Sequence, residues 1–333
     1  MALLVVSLSQ VLALRQPPVI TRRDGLRALL AATSAGAALP VAADPTYKSS
    51  VTLSDGSVFP LASFGLQLYD DAMAQRLTAL ALEAGFRNFF ASVLANNQRG
   101  FAKAVKQSSV PRADCFICGS VVSNRAQDEE TAYKLTKLGC AENAEAFGTG
   151  GIDELDMIML DYPGPDDACI RGQWRAFEEM RKEGRVRSLA VSNFSPQQLD
   201  VILAMGGTKP TANQLAFCVG YHDPGLVGAN AKRGVHVQAW SPLGNGRLTR
   251  FRRDAPAIRE ACEAVGRAHG KSAEQVALRF ITQAGASFTV QASSGAHFAD
   301  DVALFDFELT GEEMRRLEAL NVQPSWEGSV TQA

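Results

Sequence analysis

The sequence predicts an α/β protein, a (β/α)8 TIM barrel with a short N-terminal β-hairpin cap. Three observations point there. Between residues 61 and 291, short apolar runs alternate with helical stretches eight times, the pattern of a parallel sheet wrapped by helices. The 333 residues are 46% hydrophobic, enough to bury one barrel domain of roughly 250 residues or more. Finally, Phe64-Gly65-Leu66-Gln67 after the first strand is not a glycine-rich phosphate turn. That disfavours the structural alternative, an open doubly wound sheet.

In chain order, Val51 to Pro60 is two short apolar runs joined by Asp55-Gly56, a strong hairpin signal. Strands are expected at Leu61–Leu66, Arg87–Ala91, Cys115–Ser120, Asp156–Asp161, Val186–Val191, Thr211–Phe217, Val235–Trp240 and Ser287–Gln291. Helical stretches between them include Ala72–Ala84, Glu129–Phe147, Arg171–Glu183, Pro196–Met205 and Ser272–Gln283. Ala255–His269 reads as an additional helix before the last repeat, and Thr310–Leu320 as a terminal helix on the barrel's outside. Ser195-Pro196 supplies an N-cap and first helical position. Ser192 and Asn193 therefore fall at the carboxyl end of a strand, where parallel barrels place binding groups.

The expected organisation is a targeting leader at 1–43, the barrel at 44–322 and a C-terminal tail at 323–333. Ala2–Leu14 is an apolar run short for a membrane span and ended by Arg15, as in a secretory signal core. Thr21-Arg22-Arg23-Asp24-Gly25-Leu26 then precedes an uncharged stretch ending Val41-Ala42-Ala43, the layout of a twin-arginine signal. Two export-type signals in tandem resemble the leaders of proteins sent to the thylakoid lumen of algal plastids. A mitochondrial presequence, a plain anchor or another exported compartment are the alternatives. No membrane span is expected in the mature chain.

The net charge is −2, and removing residues 1–43 takes away four arginines and one aspartate to leave −5. Neither value supports nucleic-acid binding. The six cysteines show no repeating spacing. Cys115 and Cys118 have redox spacing, but inside a strand residues three apart face opposite sides, so packing is the expected role. No metal site is expected.

From about residue 51 to 321 the chain resembles the aldo/keto reductase family. The resemblance is carried by Leu82-Glu-Ala-Gly-Phe-Arg87, Val110-Pro-Arg112, Ile152-Asp-Glu-Leu-Asp156 and Glu183 to Ser195. It continues through Asn213-Gln214, Ala239-Trp-Ser-Pro-Leu-Gly244, Ser272 to Arg279 and Phe305 to Thr310. It implies a nicotinamide cofactor, NADP or NAD, across the carboxyl end of the barrel. Ser192, Asn193 and Gln214 would hold its carboxamide, Trp240 would stack on the nicotinamide, and Ser241, Leu243 and the Gly244-Asn-Gly246 loop would meet the pyrophosphate. Taken singly, Trp240 is as well explained by packing and Ser241-Pro242 by a turn.

The resemblance also implies four catalytic positions: an aspartate, a tyrosine proton donor, a lysine that tunes it and a histidine that orients the carbonyl. In this chain they are occupied by Phe90, Ala95, Ser120 and Asp161. No Asp or Tyr lies between Asn88 and Gly100, and no Lys between Cys115 and Gln127. Where the family grips the cofactor's 2′-phosphate and adenine, this chain has Gln291, Ala292, His297 and Asp301; Ser63 and Leu66 alter the nicotinamide end. The expected protein is thus a reductase-like barrel that has lost carbonyl reduction and binds a nucleotide weakly, with a protein partner or small molecule unidentified and a monomeric state. The alternative is an enzyme with non-standard residues, Asp161 with Ser120 and Cys118, or a weak reductase using Tyr162 or Tyr221.

Overall fold

The computed structural model describes residues 49–244 and 255–322. The leader at 1–43, residues 245 and 246 of the proposed pyrophosphate loop, and the tail at 323–333 lie outside the described residues.

Strands β1 (Ser50–Thr52) and β2 (Val58–Pro60) pair antiparallel. Their turn places Gly56 at φ 89°, where a side chain would be strained. Eight further strands follow: β3 (Ala62–Gly65), β4 (Asn88–Phe90), β5 (Phe116–Val121), β6 (Leu155–Asp161), β7 (Val186–Ser192), β8 (Ala212–Ala216), β9 (His236–Trp240) and β10 (Ser287–Val290). They are parallel and close into a barrel in sequence order, with β10 against β3. Each expected strand is present, within one or two residues of its expected ends.

The helices are α1 (Asp71–Glu83), α2 (Gln98–Gln107), α3 (Glu129–Gly148), α4 (Asp167–Lys182), α5 (Pro196–Leu203), α6 (Leu226–Ala231), α7 (Ala255–His269), α8 (Ala273–Gln283), α9 (Gly295–Val302) and α10 (Gly311–Glu318). Asp70, Asp128, Asp166, Ser195, Ser272, Ser294 and Thr310 each accept a backbone N–H of the first turn they precede. Ser195, Ser272 and Thr310 complete capping boxes with Gln198, Gln275 and Glu313. Three helices, α2, α6 and α9, were not specified by the sequence. Helix α4 begins at Asp167 because Asp166 caps it, four residues before the expected start.

Strand parity divides the core in two. Outward residues such as Phe64, Phe89, Ile117, Ile158, Leu189, Val191 and Val237 pack under the helices. Inward residues Phe90, Phe116, Cys118, Met157, Met159, Ala190 and Ala212 fill the barrel together with Leu53 and Phe59 from the hairpin. Phe59 thereby plugs the amino end, edge-on to Phe116 at 4.9 Å and to His236 at 5.9 Å between ring centroids. Cys115 belongs to the outer core and Cys118 to the inner one, both as free thiols. At the same end buried Asp156 accepts the Ile117 N–H and pairs with Arg112 and Arg187. These contacts fix the floor and leave the opposite rim to the loops.

Candidate functional site

At the carboxyl rim the strand ladder ends in backbone kinks. Tyr162, Asn193 and Ser241 directly follow β6, β7 and β9 and have φ of 70°, 64° and 49°; Asn96, in the loop after β4, has φ 50°. Among the described residues these are the only non-glycine positions with positive φ. Left-handed backbone at ordinary residues costs free energy and concentrates at functional sites. The strain lies along one rim.

The first residues inside that rim come into register. Asp161 pairs with Ser192, Ser192 with Gln214, Gln214 with Gln238, and Ala216 with Trp240. Asn193 is the hub: its Nδ2 donates to Ser192 Oγ at 3.0 Å and towards Asp161 Oδ1 at 3.4 Å, while its Oδ1 accepts the Trp240 Nε1–H at 3.1 Å. The Trp240 indole is thus held from one edge, partly exposed. Gln214 Nε2 donates to Gln238 Oε1 at 2.8 Å. That leaves Gln214 Oε1 without a partner among the described residues, able to accept an amide N–H. Ser192, Asn193, Gln214 and Trp240 are therefore brought together at one rim. Gln238, which orients Gln214, was not singled out; its position two residues before Trp240 put it on the same inward face.

Asp161 is the one ionisable carboxyl in this network. Burial pushes it up to about 6, against the opposing hydrogen bonds from Ser192 and Asn193. Its neighbour Tyr162 is also raised, by burial and then by the Asp161 charge. Ser241 opens the turn after Trp240, closed by the Gly244 N–H donating to the Ser241 carbonyl at 2.9 Å. Leu243 packs against the outer core.

The neighbouring part of the rim carries no charge. Phe90 is buried with Cys118 in the barrel's interior. Ser120, fully buried, accepts the Val93 N–H at 3.2 Å and so ties down the short 3-10 turn Val93–Ala95. Cys118 stays a thiol, its pKa raised by burial and then by Asp161. Next to β10, Gln291 donates to Gln67 at 3.3 Å, and Tyr69 donates its hydroxyl to the Ala292 carbonyl at 3.1 Å. His297 is exposed. Asp301 is buried and raised to about 7 by burial first and then by Asp300 and Glu274. Among the described residues no three His, Cys, Asp or Glu side chains are placed to hold a metal. No described helix is long and apolar enough to cross a membrane.

Residues 61–322 match the family model for the aldo/keto reductase family. An aldo-keto reductase of Mycolicibacterium smegmatis is 28% identical over 270 residues, covering 81% of this chain and 92% of its own. The glyoxal reductase of Bacillus subtilis is 27% identical over 277 residues, covering 83% and 94%. Among solved structures, an aldo/keto reductase from Brucella melitensis superimposes with a TM-score of 0.71 at 26% identity, over 83% of this chain and all of that one. An aldo-keto reductase from a Medee basin deep-sea metagenome library gives a TM-score of 0.72 at 22% identity, over 82% and 94%, which bears on the fold alone.

Proposed function

The chain belongs to the aldo/keto reductase family, and from that premise we propose that it is a member in which ordinary carbonyl reduction has been lost. In this reading it serves as a scaffold or nucleotide-responsive binder. The observation that carries the reading is the uncharged rim at Phe90, Val93–Ala95 and Ser120. The family resemblance assigns a proton donor and its tuning charges to that place, and this chain offers a phenyl ring, a methyl group and a hydroxyl. A positioned acid contributes roughly 100- to 10,000-fold to such a reaction, so its removal leaves little turnover.

The nicotinamide end of the cleft is better kept. Gln214 Oε1 and the edge-held Trp240 suit a carboxamide and its ring. A cofactor bound there would supply hydride, and these residues would orient it. The distal end is not suited to a 2′-phosphate: Gln291 is engaged with Gln67, and Asp301 brings a carboxyl with acidic neighbours where charge-assisted donors would be needed. Binding is expected to be weak, with little preference for NADPH over NADH. The leader supports delivery to a plastid compartment, the thylakoid lumen first.

Titrating NADPH and NADH into the full chain, followed by Trp fluorescence and calorimetry, tests this together with turnover of glyoxal. Weak binding of both cofactors without aldehyde-dependent NADPH oxidation is the expected result. Turnover at the rates of ordinary reductases would overturn it. One observation favours a second reading, an oxidoreductase with non-standard residues: Asp161, with its carboxyl raised to about 6, is poised to give a proton near neutral pH. In that case any turnover would be abolished in Asp161→Asn.

A further inference from the structure

The end of the barrel away from the rim holds a second concavity, of about 560 Å³, within the range of small-molecule sites. Its walls come from five separate segments: the hairpin turn with Ser54 and Asp55, the last turn of α4 with Arg181, β7 with Leu189, the α5–β8 loop with Thr208 and Lys209, and Arg233 after α6. Three cations and one carboxylate line it, in a chain whose overall charge is −2.

Two of the three cations are not used up by the fold. Arg181 spends only its Nε, on the Arg187 carbonyl at 3.0 Å, which anchors the guanidinium and leaves both terminal nitrogens without partners among the described residues. Lys209 is exposed, and its ammonium has no partner among the described residues. Arg233 is held from behind by a bidentate pair with Asp200 at 2.6 and 2.7 Å and by the Ala229 carbonyl at 2.8 Å, which neutralises it but fixes its edge. Asp55 is fixed by the Ser57 N–H and the Ser188 hydroxyl. One anchored guanidinium with open terminal nitrogens, a free ammonium and a carboxylate in the same hollow match an anion that also carries hydroxyl donors.

We propose that this hollow is a binding site for a small phosphate ester of a polyhydroxy compound, with the phosphate on Arg181 and Lys209 and hydroxyls turned to Asp55. It is independent of the cofactor cleft, because none of its residues belongs to the rim. Calorimetry on the full chain with glucose 6-phosphate, and with glucose as the uncharged control, tests it. Saturable binding of the ester and none of glucose is expected. Affinity should fall by roughly tenfold or more in the double variant Arg181→Ala, Lys209→Ala, since each lost charge-assisted bond is worth about that factor. Both side chains are exposed, so an unchanged melting temperature will show that the variant is folded. No binding of the ester, equal binding of glucose, or full affinity in the double variant would overturn the proposal.

Discussion

Asp161 is where a single residue decides most. Its carboxyl is raised from 3.8 to about 6, chiefly by burial. A carboxyl with a higher pKa in the folded state than in the unfolded chain holds its proton better when folded. Its ionisation therefore weakens the fold progressively as pH rises from about 4 through 6, by about 1–3 kcal/mol once complete. Asp161→Asn removes that cost while keeping an acceptor for Asn193. The variant is expected to be more stable than the parent by about that amount at pH 8 and nearly equal to it at pH 4, by chemical denaturation. An equal change at both pH values would show that charge is not the cause. The position of Asp161 at a strand's carboxyl end could be read from the sequence, because Tyr162-Pro163 follows directly on the apolar run Met157–Leu160 and Asp161. Its raised pKa could not, since that depends on how deeply the folded barrel buries the carboxyl, against the opposing hydrogen bonds from Ser192 and Asn193. The same holds for Gln214: the amide is visible in the sequence, but the Gln238 bond that leaves its Oε1 available is a cross-strand fact.

At the scale of elements, the strands were legible and three helices were not, for one physical reason. A barrel strand buried on both faces is a short apolar run whatever its neighbours. Helix α2 carries no such self-contained signal: its N-cap Asn97 makes no cap bond and reaches back to the Leu66 and Tyr69 carbonyls at 2.5 and 2.7 Å. The helix is therefore started by the β3–α1 loop. Its Gly100 lies so close to the Asp71 carbonyl that a Cβ there would collide with backbone, and the Gly100 N–H donates to Asp71 Oδ1. Gly100→Ala would normally favour a helix, by roughly 1 kcal/mol. Here it is expected to destabilise by about 1–3 kcal/mol, because α1 and α2 must separate to admit the methyl group. A rise in melting temperature would contradict that packing argument. Helices α6 and α9 are six and eight residues long, too short for an apolar period to stand out, and they persist by docking on β9 and on α1 and α8.

For the whole molecule, three groups whose pKa values are displaced by burial, fully for Asp301 and in part for Asp161 and His236, set the pH of greatest stability. Asp161 at about 6 and Asp301 at about 7 each hold a proton in the folded chain that the unfolded chain has released. His236, against Phe59 and hydrogen-bonded to Ser287 at 3.0 Å, is lowered by burial from 6.5 to about 4 and does the reverse. From pH 7.5 down to 6.5 only the carboxyls act, and stability rises. Between 6.5 and about 4 two carboxyl contributions oppose one imidazole, a net excess of about one proton in the folded chain, so the rise continues. Below about 4 unfolded carboxyls protonate too, and the carboxylates held low by their partners, among them Asp128, Asp166 and Asp200, lose those bonds. The maximum should therefore lie near pH 4–5, about 2–4 kcal/mol above the value at pH 8. Melting temperature is expected to climb by about 5 °C or more from pH 8 to pH 5. The Asp161→Asn, Asp301→Asn double variant should flatten that slope, and His236→Phe should steepen it between pH 6.5 and 4. A parent chain that instead melts lower at pH 5 than at pH 8 would mean the two carboxyls are not protonated in the fold.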